Sequence, residues 1–269
     1  MAETTQMRIR PAAVAGRFYP DDAKELSFSV WQMIEAAREQ VSAVPDIKAI
    51  IGPHAGYIYS GPIAAAAYAA LGDLKGRIKR VVLIGPSHFV PLTGIATSSA
   101  DAFATPLGQL PLDRVALDAA LELPFVITYD EAHAQEHGLE VHLPFLQVAL
   151  GSFKLAPFVF GDSTGSQCAE LLKKLWGGPE TLIVISSDLS HYLDYASARQ
   201  VDMATCAAIE AMRPDQIGEK QACGRLAVQG LLQAGSEHHL KTRTLDLRNS
   251  GDTAGPRNRV VGYGAWALA

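Results

Sequence analysis

Apolar residues along this chain follow two different spacings. From residue 21 to 41, "DDAKELSFSVWQMIEAAREQV" carries Leu26, Val30, Met33, Ile34 and Ala37 near helical intervals behind an acidic first turn, which predicts an amphipathic helix. Four later runs are short and almost continuously apolar: "IKAIIG" (47–52), "RVVLIG" (80–85), "FKLAPFVF" (153–160) and "TLIVISS" (181–187). Runs of that length, rich in β-branched residues, suit strands buried on both faces. Segments 61–72, 113–121, 137–150 and 164–176 read as helices between the runs, and 194–212 and 223–234 as helices beyond them. Residues 240–247 and 259–268 read as two further strands, the last pairing antiparallel on or beside the sheet. Between these two, "DLRNSGDTAGPRNRV" (246–260) is dense in turn formers and reads as an exposed loop. Alternating strand and helix predicts an α/β layered sandwich around a largely parallel or mixed central sheet. No repeat, low-complexity tract or linker divides residues 1–269, so one domain is expected.

Composition narrows the function classes. Hydrophobic residues are 48% and charged residues 19% of the chain, an ordinary globular balance. No window approaches the roughly 18–20 apolar residues that span a bilayer, so no membrane partner is expected. The first residues lack a basic flank leading into an apolar stretch, and the expected location is cytoplasmic. Three cysteines without CxxC spacing fit a reducing compartment. The net charge of -5, with Lys and Arg dispersed, offers no basic stripe for nucleic acid.

Candidate chemistry collects at strand ends. "AIIGPHAGY" places His54 after the first strand, "VLIGPSHFV" places His88 after the second, and "VISSDLSHY" places Asp188 and His191 after a later one. In open α/β sheets ligands bind beyond the carboxyl ends of strands, where residues distant in sequence converge. The competing reading of each residue is a loop or capping group, with Gly-Pro simply making the turn.

A second cluster, "HAQEHGLEVHLPFL", holds His133, Glu136, His137, Glu140 and His142. It is not the HExxH zinc pattern, because Ala134 follows His133 where that pattern has its glutamate, and Glu136 stands instead directly before His137. A polar helix start, with Glu near the positive end of the dipole, explains it equally well. His142 is either a satisfied buried histidine or a partner behind the ligands. Cys223 precedes a glycine near a helix start, where a thiol's pKa is lowered and metal binding favoured; the alternative is a small buried hydrophobe, as read for Cys168 and Cys206. Tyr57 and Tyr59 either line the pocket or pack beneath it, and Arg17 and Tyr19 reach the pocket if the first segment folds over it.

Together "GPHAGYIYSG", "LIGPSHF", "TPLGQLPLD", "EHGLEVHLPFL", "SSDLSHY" and "CGRLAVQGLL" resemble the Memo family, in order and over nearly the whole chain from "AVAGRFYP" to "VVGYGAWAL". The resemblance implies a fold similar to that of the class III extradiol dioxygenases. It also implies that His54, His88 and Cys223 are the three metal ligands, that His191 acts as acid/base and that Asp188 lines the same pocket. His142, Glu136 and Tyr57 are then expected just behind or beside these groups. Fe(II) is the expected ion, with Cu or Zn as alternatives. The family's gene-neighbourhood link to a radical-SAM protein implies a functional connection to such a protein, with a small-molecule substrate or peptide still unnamed.

One departure matters for function. A thiolate stands where the dioxygenases use a carboxylate, which makes the site softer and more tolerant of Cu(I) or Zn. Dioxygenase activity therefore does not follow from the resemblance. Three readings result: a mononuclear non-heme metalloprotein with redox or dioxygenase-like chemistry on a small molecule; a non-catalytic metal- or peptide-binding or signalling protein using the same pocket; and, ranked last, a zinc site activating water.

Overall fold

The computed structural model describes residues 7–269. Strand β1 (Ile9–Arg10) precedes helix α1 (Ala23–Arg38). Helix α1 starts where the Asp22 carboxylate accepts hydrogen bonds from the N–H groups of Lys24 and Glu25, and it buries Leu26, Val30 and Ile34. Next come β2 (Ala49–Gly52), α2 (Tyr57–Ala69) and β3 (Arg80–Pro86). Short strands β4 (Ile95–Thr97), β5 (Ala102–Thr105) and β6 (Gly108–Pro111) lead to α3 (Arg114–Ala120) and β7 (Val126–Thr128). Three helical pieces, α4 (Glu131–Ala134), α5 (His137–Glu140) and α6 (His142–Leu150), precede β8 (Lys154–Phe160). Helix α7 (Gly165–Lys174), β9 (Thr181–Ser186), β10 (His191–Leu193) and α8 (Tyr195–Glu210) follow. The chain closes with α9 (Arg225–Glu237), β11 (Thr242–Asn249) and β12 (Val260–Leu268).

The main sheet runs β10-β12-β2-β9-β3-β8-β4-β7, with β11 also on β12. Strands β2, β9, β3 and β8 are mutually parallel, whereas β12 meets β2, and β4 meets β8, antiparallel. The sheet is therefore mixed around a parallel centre. Ile50, Ile51, Val81–Ile84 and Leu182–Ile185 are fully buried, as continuous apolar runs require when both faces are covered. Helices α1, α2 and α6 pack together on the sheet; α3, α7 and α9 form a second group, with α8 against β11 and β12. No helix among the described residues is long and apolar enough to cross a membrane.

Three expectations change, and several short strands are added. Segment 137–150 is two helices broken at Val141, because Pro144 has no N–H to offer the Glu140 carbonyl. Helix α2 begins at Tyr57 rather than 61: Gly61-Pro62 reads as a start because proline favours the first helical position, yet Pro62 lies inside the helix. Segment 246–260 is not wholly an exposed loop, since β11 continues to Asn249 and a 3-10 turn (Ser250–Asp252) buries Asn249 and Ser250. The separate sheet β1-β5-β6 and the short strands β4, β7 and β10 were not visible in the pattern, being too brief to show a period.

A buried ion pair ties the first segment to this scaffold. Arg10 donates to Glu140, to the His133 carbonyl (2.9 Å) and to the Glu136 carbonyl (2.8 Å). Glu140 also accepts from the N–H groups of Ala13 (2.8 Å) and Val14 (2.9 Å) and from the Tyr19 hydroxyl (2.6 Å). Removing one partner strands the others in a dry environment. Glu140→Ala is expected to cost about 3–5 kcal/mol in urea unfolding, against less than about 1 kcal/mol for Glu35→Ala, which breaks the exposed pair with Arg38; equal losses would refute the central role given to Glu140.

Candidate metal centre

Three parallel strands deliver their following loops to one edge. His54 lies two residues past the end of β2, His88 two past β3, and Asp188 two past β9. Cys223 comes from the loop before α9 and is docked on the β9 loop: its N–H donates to the Asp188 carbonyl, and its Sγ accepts from the Asp188 N–H, both at 3.2 Å. Gly224 permits this approach, since a Cβ there would meet the Ser186 carbonyl oxygen and the Ser187 Cβ at 2.5 Å. The Gly224 N–H also donates to Ser187 Oγ at 2.9 Å.

The geometry brings the three expected ligands together. His54 Nε2 is 3.3 Å from Cys223 Sγ, the His54 and His88 rings are 5.0 Å apart edge to face, and one donor atom from each of His54, His88 and Cys223 lies within 4.8 Å of the others. Glu136 caps α5 and grips the His88 loop, accepting from His88 N–H and from His88 Nδ1, both at 2.7 Å, and from Gly138 N–H at 2.7 Å. A carboxylate only accepts, so His88 carries its proton on Nδ1 and leaves Nε2 free. Burial raises the Glu136 pKa, but the hydrogen bonds from His88 and Gly138 outweigh it and hold the carboxyl below its usual range.

Sequence reasoning noticed His137 without assigning it to the site. Its ring lies 4.5 Å from that of His88 and 5.6 Å from that of His54, against Phe18 and Phe89, and its Nδ1 is buried with no hydrogen-bond partner among the described residues. His88, Glu136 and His137 also place donor atoms within 4.8 Å of one another, but the Glu136 oxygens are already taken by three N–H groups. That trio reads as support for His88. The signal in the sequence is "EHG" at the very start of a helix, which an N-cap at Glu136 explains just as well.

The remaining candidates separate. His142 sits behind His54, both approaching Ser186 Oγ. Tyr57 does not line the site: its hydroxyl donates to the Val141 carbonyl at 2.7 Å, and its ring packs on Tyr19 and Phe145. Tyr19 is committed to Glu140, and Arg17 lies exposed, donating to the Ala13 carbonyl. His133 is structural, its Nε2 3.1 Å from the Ala96 carbonyl oxygen. Cys168 and Cys206 are small buried groups as expected. His191 opens the exposed edge strand β10, and the next residue, Tyr192, has φ of +61°, a left-handed conformation uncommon for an aromatic residue.

Burial sets the electrostatics. It pushes the His54 pKa well below 6.5, helped by neighbouring histidines, and brings His137 to about 4 and His142 to about 3. His191 is also lowered, chiefly by desolvation. These rings are neutral at pH 7, the form that binds metals. Burial lifts Asp188 to about 7 despite hydrogen bonds from the His54 and Ala55 N–H groups. The Cys223 thiol is raised, not lowered as its place near a helix start suggested, because burial and then the Asp188 carboxyl outweigh the N–H groups around it.

Comparison with known proteins agrees in its extent with this layout. The family model described as Memo-like protein matches residues 10–267. The chain belongs to the Memo family. A MEMO1 family protein of Aquifex aeolicus is 36% identical over 96% of this chain and 98% of its own length, and one of Ignicoccus hospitalis is 35% identical over the same shares. The crystal structure of the uncharacterized protein JW3007 from Escherichia coli K12 superposes with a TM-score of 0.52 at 13% identity, covering 83% of this chain and 100% of that one. This likeness concerns fold alone. As a Memo family member, the chain has the layered α/β fold shared with the class III extradiol dioxygenases.

Two buried histidines give a pH dependence. His133 and His142 fall from 6.5 to about 4 and about 3 on folding, both mainly through burial. The unfolded chain then binds protons that the native state refuses, so their contribution is full above pH 6.5 and is lost as the pH falls toward 4 and 3. Urea unfolding is expected to show stability declining from pH 7 to pH 5, with both rings still unprotonated in native-state NMR at pH 5; protonation of either ring at pH 5 would contradict this.

Proposed function

We propose that the protein binds one transition-metal ion through His54, His88 and Cys223, and that this centre handles a small molecule in redox chemistry. The observation that carries the reading is the convergence of three donors from three separate loops within 4.8 Å, backed by a carboxylate that orients one of them. Two imidazoles and one thiol form a borderline-to-soft set that suits Fe(II), with Cu(I) and Zn(II) as competitors. Fe(II) is the ion we assign. When bound, such an ion supplies one-electron chemistry and coordination positions open to an exogenous ligand.

The chain's own residues then divide the work. Cys223 surrenders its proton on becoming a ligand, because only the thiolate binds. Asp188, buried beside it and titrating at about 7, is suited to exchange a proton at neutral pH. Neutral His191, on the exposed strand β10, is suited to act as base toward a ligand entering from solvent, and the aromatic rings of Phe18 and Phe89 lie against His137. Ring cleavage is not part of the proposal, since the thiolate replaces the carboxylate that the dioxygenases use.

Elemental analysis tests the ligand set. Protein purified anaerobically from iron-supplemented cells is expected to carry near-stoichiometric iron, and folded His54→Ala, His88→Ala and Cys223→Ser variants are expected to lose most of it. Equal metal in all four preparations, or none in the wild type, would sink the assignment and favour a metal-free binding pocket.

A further inference from the structure

Ser186, fully buried at the end of β9, is the meeting point of three groups. Its Oγ is 2.6 Å from His54 Nδ1 and 3.0 Å from His142 Nε2, and it contacts the Gly138 carbonyl oxygen. A hydroxyl has one proton to give and two lone pairs to accept with. The Gly138 carbonyl can only accept, so the Ser186 proton goes there. Each imidazole must then bring its own proton, His54 on Nδ1 and His142 on Nε2.

A fourth group closes the alternative in which Ser186 turns its proton toward His142. The hydroxyl of buried Tyr68 lies 2.7 Å from His142 Nδ1 and has no other hydrogen-bond partner among the described residues. Only by donating to Nδ1 does Tyr68 satisfy its own proton, and leaving a buried donor unmade costs about 1–3 kcal/mol. A neutral His142 that accepts at Nδ1 carries its single hydrogen on Nε2, pointing it at Ser186. Ser186 cannot turn its proton to His54 either, because its oxygen would then face the Gly138 carbonyl lone pair to lone pair; Gly138 is its acceptor, and His54 is protonated on Nδ1. The free lone pair of His54 is on Nε2, the atom 3.3 Å from Cys223 Sγ.

We propose that Tyr68, His142 and Ser186 are positioning residues: a directional hydrogen-bond chain that locks His54 in the Nδ1–H tautomer and keeps its Nε2 lone pair for a metal ion beside Cys223. The purpose of the lock rests on the metal-binding reading above. Its existence does not, because it follows from donor and acceptor counting in the metal-free protein. Glu136 does for His88 by charge what this neutral chain does for His54, so both imidazoles present the same nitrogen to the pocket. Tyr68 is held for the task by Phe145, whose ring stacks on it at 4.9 Å and 9°.

Two measurements decide it. Long-range 15N–1H NMR of the reduced, metal-free protein at pH 7 should find opposite tautomers, His54 protonated on Nδ1 and His142 on Nε2, with His142→Gln identifying the signals. His54 protonated on Nε2, or His142 on Nδ1, overturns the lock whatever the metal does. Zn2+ competition titration should then show Ser186→Ala weakening binding about 10–100-fold, the range for loss of an orienting partner, with Tyr68→Phe, which keeps the ring, shifted the same way by less. Wild-type affinity in both folded variants overturns the positioning role. A wild-type protein that binds no Zn2+ overturns the metal reading and the purpose assigned to the chain, while the tautomer spectra still decide whether the lock exists.

Discussion

Parallel register at the centre of the sheet is the constraint on which the candidate site depends. Gly52 of β2 pairs with Ser186 of β9, and Ile84 of β3 with Ile185 of β9, so the three strands end almost level. Neighbouring strands lie about 4.8 Å apart, and a residue two positions past each end is therefore within ligand reach of the next. His54, His88 and Asp188 all occupy that position. A shift of one residue in the pairing would turn each strand's side chains to the other face and scatter the cluster.

The segment containing α5 connects this edge to the beginning of the chain. Glu136 holds His88, the Gly138 carbonyl receives Ser186, and Glu140 holds Arg10, Tyr19 and the N–H groups of Ala13 and Val14. Five consecutive residues thus tie the pocket and the first segment to the same short helix. The break at Val141 matters here: it lets Glu140 and His142 serve different neighbours, the first segment on one side and β9 on the other.

Electrostatically the pocket holds one settled charge, the Glu136 carboxylate behind His88. Burial keeps His54 and His137 neutral and the Cys223 thiol protonated, while Asp188 titrates near neutrality. On the proposed metal-binding reading, a cation would meet lone pairs with the Glu136 carboxylate behind His88, and proton loss from Cys223 would add the second negative charge, coupling occupancy to proton release.

Much of this was legible in the sequence. Continuous apolar runs gave the central strands within a residue or two, because a strand covered on both faces has no polar positions to blur it. The Gly-Pro-His and Gly-Pro-Ser-His endings marked His54 and His88, and ordered motifs identified the family. Other features belonged to the tertiary structure. Tyr57 was read as lining the pocket or packing beneath it and packs beneath it, since which way an aromatic ring turns after a strand depends on neighbours from α6 and the first segment. His137 joined the site only when α5 was folded against β3. Cys223, at a helix start that favours thiolate, is instead a half-buried neutral thiol, because desolvation is a property of the surroundings and not of the local chain. Ser186 carried no motif at all; its role arises from three partners at sequence distances of 132, 48 and 44 residues, and only the closed fold brings their donors and acceptors within one hydroxyl's reach.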